Sequence, residues 1–393
     1  MHRGENNRWT SSQPLGAPGE SGAYSSNVET PPSPTSSAGR ALRTFLLALV
    51  VLLAANIAMN AALNPSGELR DGGLIIQSVL SSESYQKVKA LDGFIARRAG
   101  APMGVVLGSS RVMELSLGDS TAPIPFYNCG VSGAKAEDIL AFTRFIFSHP
   151  DVKLAEAVIG VDPFALAVPI PGDATEYYDV RLRGVHALER VMRDRIDPRE
   201  RLEWRAAALL GRDWTTALRE VGDPPPRQWF DSSGVYPESN YVRRIGTSPE
   251  ARERYLTNHI EMVMTHLPVS ADPDPRRVED ITEAVRLLRE HGARVTIFLP
   301  PTHPRLLAAL VSDTIFRAQT AHDRTMLREL ASGSGATFVD LTDPATSGLT
   351  PADFWDGYHY TSAASALVIH ALRSASAPAG GDETSTAESL TRR

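Results

Sequence analysis

Cysteine is almost absent from this 393-residue chain, Cys129 being the only one. No intramolecular disulfide can form, and no thiolate cluster is available to hold a metal. An excess of positive charge is missing as well. Lys and Arg number 40 against 46 Asp and Glu, for a formal net charge of −6, whereas phosphate binding needs a concentrated basic face. No basic stripe appears outside an Arg-rich middle, which argues against a nucleic-acid partner. What is present is ordinary: 42% hydrophobic and 22% charged residues, the composition of one enzyme-sized globular domain with appendages. Cys129 reads as a small apolar residue packed beside Gly130.

One long apolar run stands out, near the N-terminus. Residues 1–40 are dense in Ser, Pro, Gly and Asn, with Pro31-Pro32-Ser33-Pro34 towards their end, and carry too little apolar surface to order themselves. Arg40 and Arg43 then precede Thr44 to Leu63, a stretch of about the ~20 residues that cross a bilayer core. The expectation is a disordered cytoplasmic tail over 1–40 and a transmembrane anchor over 41–64. Charge bias places the arginines in the cytoplasm and everything after Asn64-Pro65 outside. Asn56 and Asn60 interrupt the span. The alternative is a cleaved signal peptide with Phe45 to Ala55 as its apolar core, against which the preceding segment is about 40 residues long where a whole signal has ~15–30. Either way the remainder is exported.

Three scattered segments carry chemistry. The run Gly104-Val-Val-Leu-Gly108 reads as a buried parallel strand, and Ser109-Ser110 follow it at the carboxyl edge where open α/β sheets place ligands. Asn128-Cys129-Gly130 comes soon after, and Asp356-Gly357-Tyr358-His359 lies near the C-terminus. A serine hydroxyl is a weak nucleophile at its free pKa; it needs an imidazole to take its proton and a carboxylate to orient that imidazole. Ser110, His359 and Asp356 fit these roles. Asp356 and His359 are three apart, so one helical turn would put both on the same side.

With these blocks in this order, the chain resembles the SGNH/GDSL hydrolase superfamily, in the membrane-anchored envelope form. Gly108-Ser109-Ser110 matches the first block, making Ser110 the counterpart of the nucleophile. Gly130 matches the second block, and the resemblance implies that its N–H joins that of Ser110 in an oxyanion hole. Asp356 and His359 match the closing Asp-x-x-His. The third block should offer an Asn, and after the strand-like Ala155 to Val161 this chain has Asp162-Pro163-Phe164 instead. An ionised carboxylate cannot donate to an oxyanion and would oppose its charge. Either Asp162 pairs with Arg111 and leaves the oxyanion to backbone N–H groups, or the site has lost part of its machinery. The likeness spans roughly residues 100–165 and 290–373. Gly118-Asp119-Ser120 spells the start of the family's eponymous motif, but no strand precedes it and it reads as a turn.

Beyond these blocks the pattern alternates. Strands are expected at 104–108, 125–128, 155–161, Arg294 to Leu299 and Ala336 to Val339. Helices are expected over Ala134 to Phe147, Val278 to His291, Ala318 to Leu330 and Ser362 to Ser374, after a mixed segment over Gly72 to Leu91. Such alternation gives an α/β fold with a parallel sheet covered on both faces. The resemblance implies a flavodoxin-like three-layer sandwich with a five-stranded parallel sheet. The hydrolase-like domain is expected over 65–373, with a helical insertion at about 165–275, and a disordered tail over 374–393. Within the insertion, Trp204, Trp214 and Trp229 are read as packing between cap and sheet rather than stacking on sugars. Arg181, Arg183, Arg190 and Arg193 are read as solvated helix faces. Pro300-Pro301-Thr302-His303 follows the fourth strand, so His303, with Arg111 and Asp162, is a candidate for lining the site. Asp340 and Asp343 read as turn formers, and Trp355 and Tyr358 as packing for the loop that carries Asp356.

The expected function is that of an envelope serine esterase or O-acyltransferase working through an acyl-serine, without cofactor or metal. By resemblance, its partner is an acylated polysaccharide or cell-wall polymer. The competing expectation is a non-catalytic binding or assembly protein that keeps the fold.

Overall fold

The computed structural model describes residues 34–117, 124–168, 186, 189–190, 192–194, 196–225, 227–266 and 272–376. Gly118-Asp119-Ser120, Arg181, Arg183 and the segments 1–33 and 377–393 lie outside the described residues.

Continuous apolar runs, rather than alternating ones, make strands buried on both faces. β1 (Pro102–Leu107) and β4 (Arg294–Leu299) each bury five successive residues after an exposed first one. With β2 (Phe126–Asn128), β3 (Lys153–Gly160) and β5 (Thr337–Asp340) they form one sheet, every pair parallel, in the order β2-β1-β3-β4-β5. This is the doubly wound, five-stranded order expected. Successive side chains of a strand serve opposite faces. Val105 and Leu107 join a core with α3 (Glu83–Ala96), α4 (Ala136–Phe147), α10 (Pro275–Glu290) and α12 (Thr314–Ser334). Val106, Val158 and Phe298 point the other way, against Ala364, Val368 and Leu372 of α13 (Ser362–Ser376). Three layers follow from that alternation.

Two helix starts use an Asp-Pro signal. Asp274 accepts from Arg276 N at 2.8 Å with Pro275 at the first helical position, so α10 begins three residues before the periodicity suggests. Asp197-Pro198 opens α6 (Pro198–Leu210) in the same way.

Between α5 (Pro163–Leu166) and α10 the described residues hold α6, α7 (Asp213–Arg219), α8 (Glu238–Ile245) and α9 (Pro249–His266), with no strand of the sheet. A turn before α8 covers the edge of β2: Asn128 N donates to Ser233 O at 2.8 Å and Tyr236 N to Met113 O at 2.9 Å. The wholly buried Lys87 pins this turn by donating to Asn128 O at 2.8 Å and to Gly234 O. Burial pushes its ammonium down to about 7. Unpaired sheet edges invite association, and here the chain covers its own. Trp204 packs against the main core, while Trp214 Nε1 donates to Asn56 Oδ1 and Trp229 Nε1 to Ser81 O, just after α2 (Gln77–Leu80). The tryptophans thus pack, two of them against the leading segment rather than the sheet. Arg190 meets Asp71 at 3.8 Å, and Arg193 is exposed.

α1 (Pro34–Leu63) is one continuous helix, and its Ser37–Leu63 stretch is long and apolar enough to cross a membrane.

Candidate active site

Ser110 opens a 3-10 turn, Ser110–Val112, directly after β1. The glycine between them is needed. Gly108 has φ +142°, and a Cβ there would come within 2.5 Å of Gly160 O on β3, so only glycine lets the chain turn this close to its neighbour. Ser109 caps the turn, its hydroxyl accepting from Arg111 N at 3.2 Å and donating to Asp162 Oδ2. The first N–H of such a turn has no partner within it, which leaves Ser110 N–H at the sheet edge beside its own hydroxyl.

Arg111 turns inward. Its Nη1 meets Asp162 Oδ1 at 2.8 Å, and its Nη2 donates to Pro300 O and Pro301 O at 2.7 Å and to Thr302 Oγ1 at 2.8 Å. The guanidinium lies 4.5 Å over the Tyr358 ring. Asp162 therefore holds Ser109 and Arg111 together where β1, β3 and β4 end.

The remaining two side chains arrive on a loop after β5. Phe354 and Tyr360 form an isolated antiparallel bridge, and Trp355 N donates to His359 O at 2.7 Å. Inside this loop Asp356 Oδ1 accepts from Tyr358 N at 2.8 Å and His359 N at 2.9 Å. The helical turn expected here is absent: aspartate folds its own backbone into an Asx-type turn, which brings residues two and three ahead onto one carboxylate. Gly357 is required by packing, since a Cβ would meet Leu306 Cδ2 at 2.5 Å and His259 Nδ1 at 2.9 Å.

His359 Nδ1 lies 2.8 Å from Asp356 Oδ2, and Nε2 lies 2.9 Å from Ser110 Oγ. Burial alone would push the Asp356 carboxyl up, but the His359 charge and hydrogen bond beside it outweigh burial and hold it below the usual carboxylate range. Burial alone would likewise lower His359, and the Asp356 charge and hydrogen bond win, leaving it above the ordinary imidazole value. Each is kept in the form that suits the other.

Two expected site residues sit differently. Gly130 N–H donates to Asn128 Oδ1 at 2.8 Å, so the second oxyanion donor is already engaged. Asn128 also donates through Nδ2 to Val112 O at 2.6 Å and Leu115 O at 3.0 Å; an amide satisfied on both ends staples β2 to the nucleophile turn. His303 is buried as the cap of α11 (Pro304–Ser312), its Nδ1 accepting from Arg305 N at 3.1 Å and its backbone N donating to Gly357 O at 3.0 Å. It supports the loop's backbone at Gly357. Cys129 is buried, and burial pushes its thiol up to about 12.

The insertion supplies what sequence reasoning missed. Tyr241 of α8 places its ring 5.5 Å from that of His359 and stacks on Trp355 at 5.9 Å. His259 of α9 brings Nε2 to 3.9 Å from Asp356 Oδ1, and burial first, then the neighbouring His359 charge, keeps its pKa low despite Asp356. Ligand atoms of His259, Asp356 and His359 lie within 4.8 Å of one another. A cation among them would compete with the Nδ1 bond that orients His359, so the hydrogen-bonded arrangement is the better account of the trio. Glu114, buried just after the nucleophile turn, feels His359 and Tyr241, and burial pushes its carboxyl up to about 7. A lone Glu inside Val112-Met113-Glu114-Leu115 was a visible signal; His259 and Tyr241 had none beyond helical spacing.

No family model and no curated protein matches this chain. Among solved structures, the crystal structure of TesA is similar at a TM-score of 0.31 and 11% identity, covering 70% of this chain and 97% of that one. That is too distant to bear on the site.

Proposed function

We propose that this chain is a serine hydrolase or acyltransferase that forms an acyl-serine at Ser110. The observation that carries this reading is the unbroken line Ser110 Oγ, His359 Nε2, His359 Nδ1, Asp356 Oδ2, with gaps of 2.9 and 2.8 Å. His359 takes the Ser110 proton as the hydroxyl attacks an ester carbonyl, then returns it to the leaving alcohol; Asp356 holds the tautomer with hydrogen on Nδ1 and balances the imidazolium. Ser110 N–H donates to the tetrahedral oxyanion. Gly130 N–H joins it only by giving up Asn128 Oδ1. Water or a second hydroxyl then attacks the acyl-serine, which separates hydrolysis from transfer.

The substrate class proposed is an O-acyl, and specifically O-acetyl, ester of a cell-surface carbohydrate. In support, an open groove of about 330 Å3 runs beside the triad loop, with Arg252, Glu253, His303 and Arg305 among apolar Leu256, Phe354 and Trp355, a mixture that suits the hydroxyls and apolar ring faces of a sugar. The proposed setting is a single-pass membrane protein with Arg40 and Arg43 on the cytoplasmic side and the catalytic unit outside.

A fluorophosphonate probe applied to the full chain in detergent tests the reading: wild type labels, and Ser110→Ala does not. Equal labelling of the two, or none of the wild type, sinks it. A second reading, a non-catalytic binding protein, draws on the engaged Gly130 N–H and on Asp162 where an amide was expected; it requires that no label appear. Acyl transfer to a saccharide hydroxyl outrunning release to water identifies the transferase.

A further inference from the structure

The polar residues inside the apolar helix lead to a second membrane contact. Asn56 and Asn60, on the last turns of α1, reach the C-terminal end of α6. Asn56 Nδ2 lies 3.2, 3.3 and 3.1 Å from the carbonyls of Leu209, Leu210 and Gly211, and Asn60 Nδ2 lies 2.9 Å from Leu209 O and 2.8 Å from Gly211 O. Trp214 Nε1 closes the set on Asn56 Oδ1 at 2.8 Å. Helix ends leave carbonyls unsatisfied, and an amide inside a membrane needs a partner. Each side answers the other.

The depth of this contact follows from helix geometry. At a rise of ~1.5 Å per residue, Asn60 and Asn56 precede the end of α1 at Leu63 by about 5 and 10 Å. The elbow between α6 and α7 touches them, so it shares that depth. Its outer surface fits such a position: Leu210, Leu218 and Val221 are 53%, 47% and 61% exposed, and Arg212 and Arg219 are exposed among them, while the neighbouring Asp213 and Glu220 are half-buried. Apolar side chains with interleaved arginines are the composition of a segment lying in the headgroup region, where the apolar groups enter the acyl layer and the guanidinium groups meet phosphate. The elbow is also held from its other end, by Gln77 N donating to Glu220 Oε2 at 2.7 Å and Gln77 Nε2 to Pro224 O at 3.0 Å.

We infer that the α6–α7 elbow, at residues 209–221, is embedded in the phospholipid leaflet from which α1 emerges, so that the chain is held by a span and a ledge rather than by a span alone. The inference rests on α1 crossing the bilayer.

Single cysteines at Leu210, Leu218 and Val221, each spin-labelled in the full chain, test it in phospholipid nanodiscs holding one copy. The buried Cys129 stays unlabelled, and wild type is the control for that. Collision with dissolved oxygen is expected to rise, and collision with a water-soluble nickel chelate to be lost, relative to a label at Ile315→Cys, which is exposed on α12. Nickel access equal to that at Ile315→Cys overturns the proposal. Shielding that appears only when two copies share a disc also overturns it, in favour of a second copy of the chain as the occupant. Alkaline extraction of the same samples reports on α1 separately: a chain that stays in the bilayer with a water-accessible elbow loses the ledge alone, whereas a chain that is extracted loses the span and the ledge with it.

Discussion

Two buried aspartates sit at the same edge of the sheet and live in opposite electrostatic company. Asp162 and Asp356 are each 1% exposed. Asp162 faces Arg111, a permanent cation with a rigid fork of donors, which also ties together Pro300, Pro301 and Thr302. Asp356 faces two imidazoles, His359 at 2.8 Å and His259 at 3.9 Å, groups whose charge changes near neutral pH. The first pair ties strand ends together. In the second, a proton moving on and off His359 would alter its interaction with Asp356.

The comparison breaks most visibly at Asp356. Asp356→Asn is expected to lower the rate of fluorophosphonate labelling per folded molecule by ~10³–10⁴-fold, because the amide favours the wrong imidazole tautomer, and to lower the thermal midpoint as well, because the lowered pKa of the carboxylate stabilises the fold at neutral pH. Next comes Asp162→Asn, which leaves the Arg111 guanidinium buried beside an uncharged partner. It is expected to cost about 3–5 kcal/mol in urea unfolding, with the labelling rate per folded molecule retained. If instead Asp162→Asn abolishes labelling in protein that unfolds like wild type, the two aspartates are not divided as described.

The pH profile sharpens the contrast. His359 must be neutral to accept the Ser110 proton, and its pKa is raised by Asp356. Labelling is therefore expected to rise with pH through a midpoint above about 6.5, the ordinary imidazole value, and in Asp356→Asn the midpoint moves down. As a stability term the same raised pKa works in the other direction: its contribution is complete below the unfolded imidazole pKa and is lost as pH rises through the folded one. The lowered pKa of Asp356 contributes above the unfolded carboxylate value and is lost as pH falls. The smallest effect is expected at His259→Asn, about one decade in labelling rate, equivalent to ~1.4 kcal/mol. No change at all would mean that α9 covers the triad without acting on it.

Much of the candidate site was legible as local pattern. An apolar run ending in Gly108-Ser109-Ser110 marks a strand and its turn, because backbone conformation at a strand end depends on a few neighbours. Asp356 and His359 were legible as a pair, yet their local structure was not: spacing of three suits a helical turn and an Asx turn equally, and the bridge between Phe354 and Tyr360 selects the second. Gly130 was read, by resemblance, as an oxyanion donor; that its N–H is engaged was not legible, since its partner depends on the side-chain orientation of Asn128. His303 was legible as a residue following a strand but not as the cap of a helix, a role set by Pro304 and by contact with Gly357.

The sequence by itself determined the alternation of strands and helices, the parallel sheet, the apolar helix near the N-terminus and the choice of Ser110, Asp356 and His359 as candidates, because period, turn chemistry and side-chain type are properties of short segments. Only the tertiary structure decided what surrounds them. Tyr241 and His259 approach His359 and Asp356, and the carbonyls of Leu209 to Gly211 accept from the amides of Asn56 and Asn60, across separations in the chain that no local pattern encodes; these contacts arise from packing, where burial removes water and favours polar groups that find partners in space.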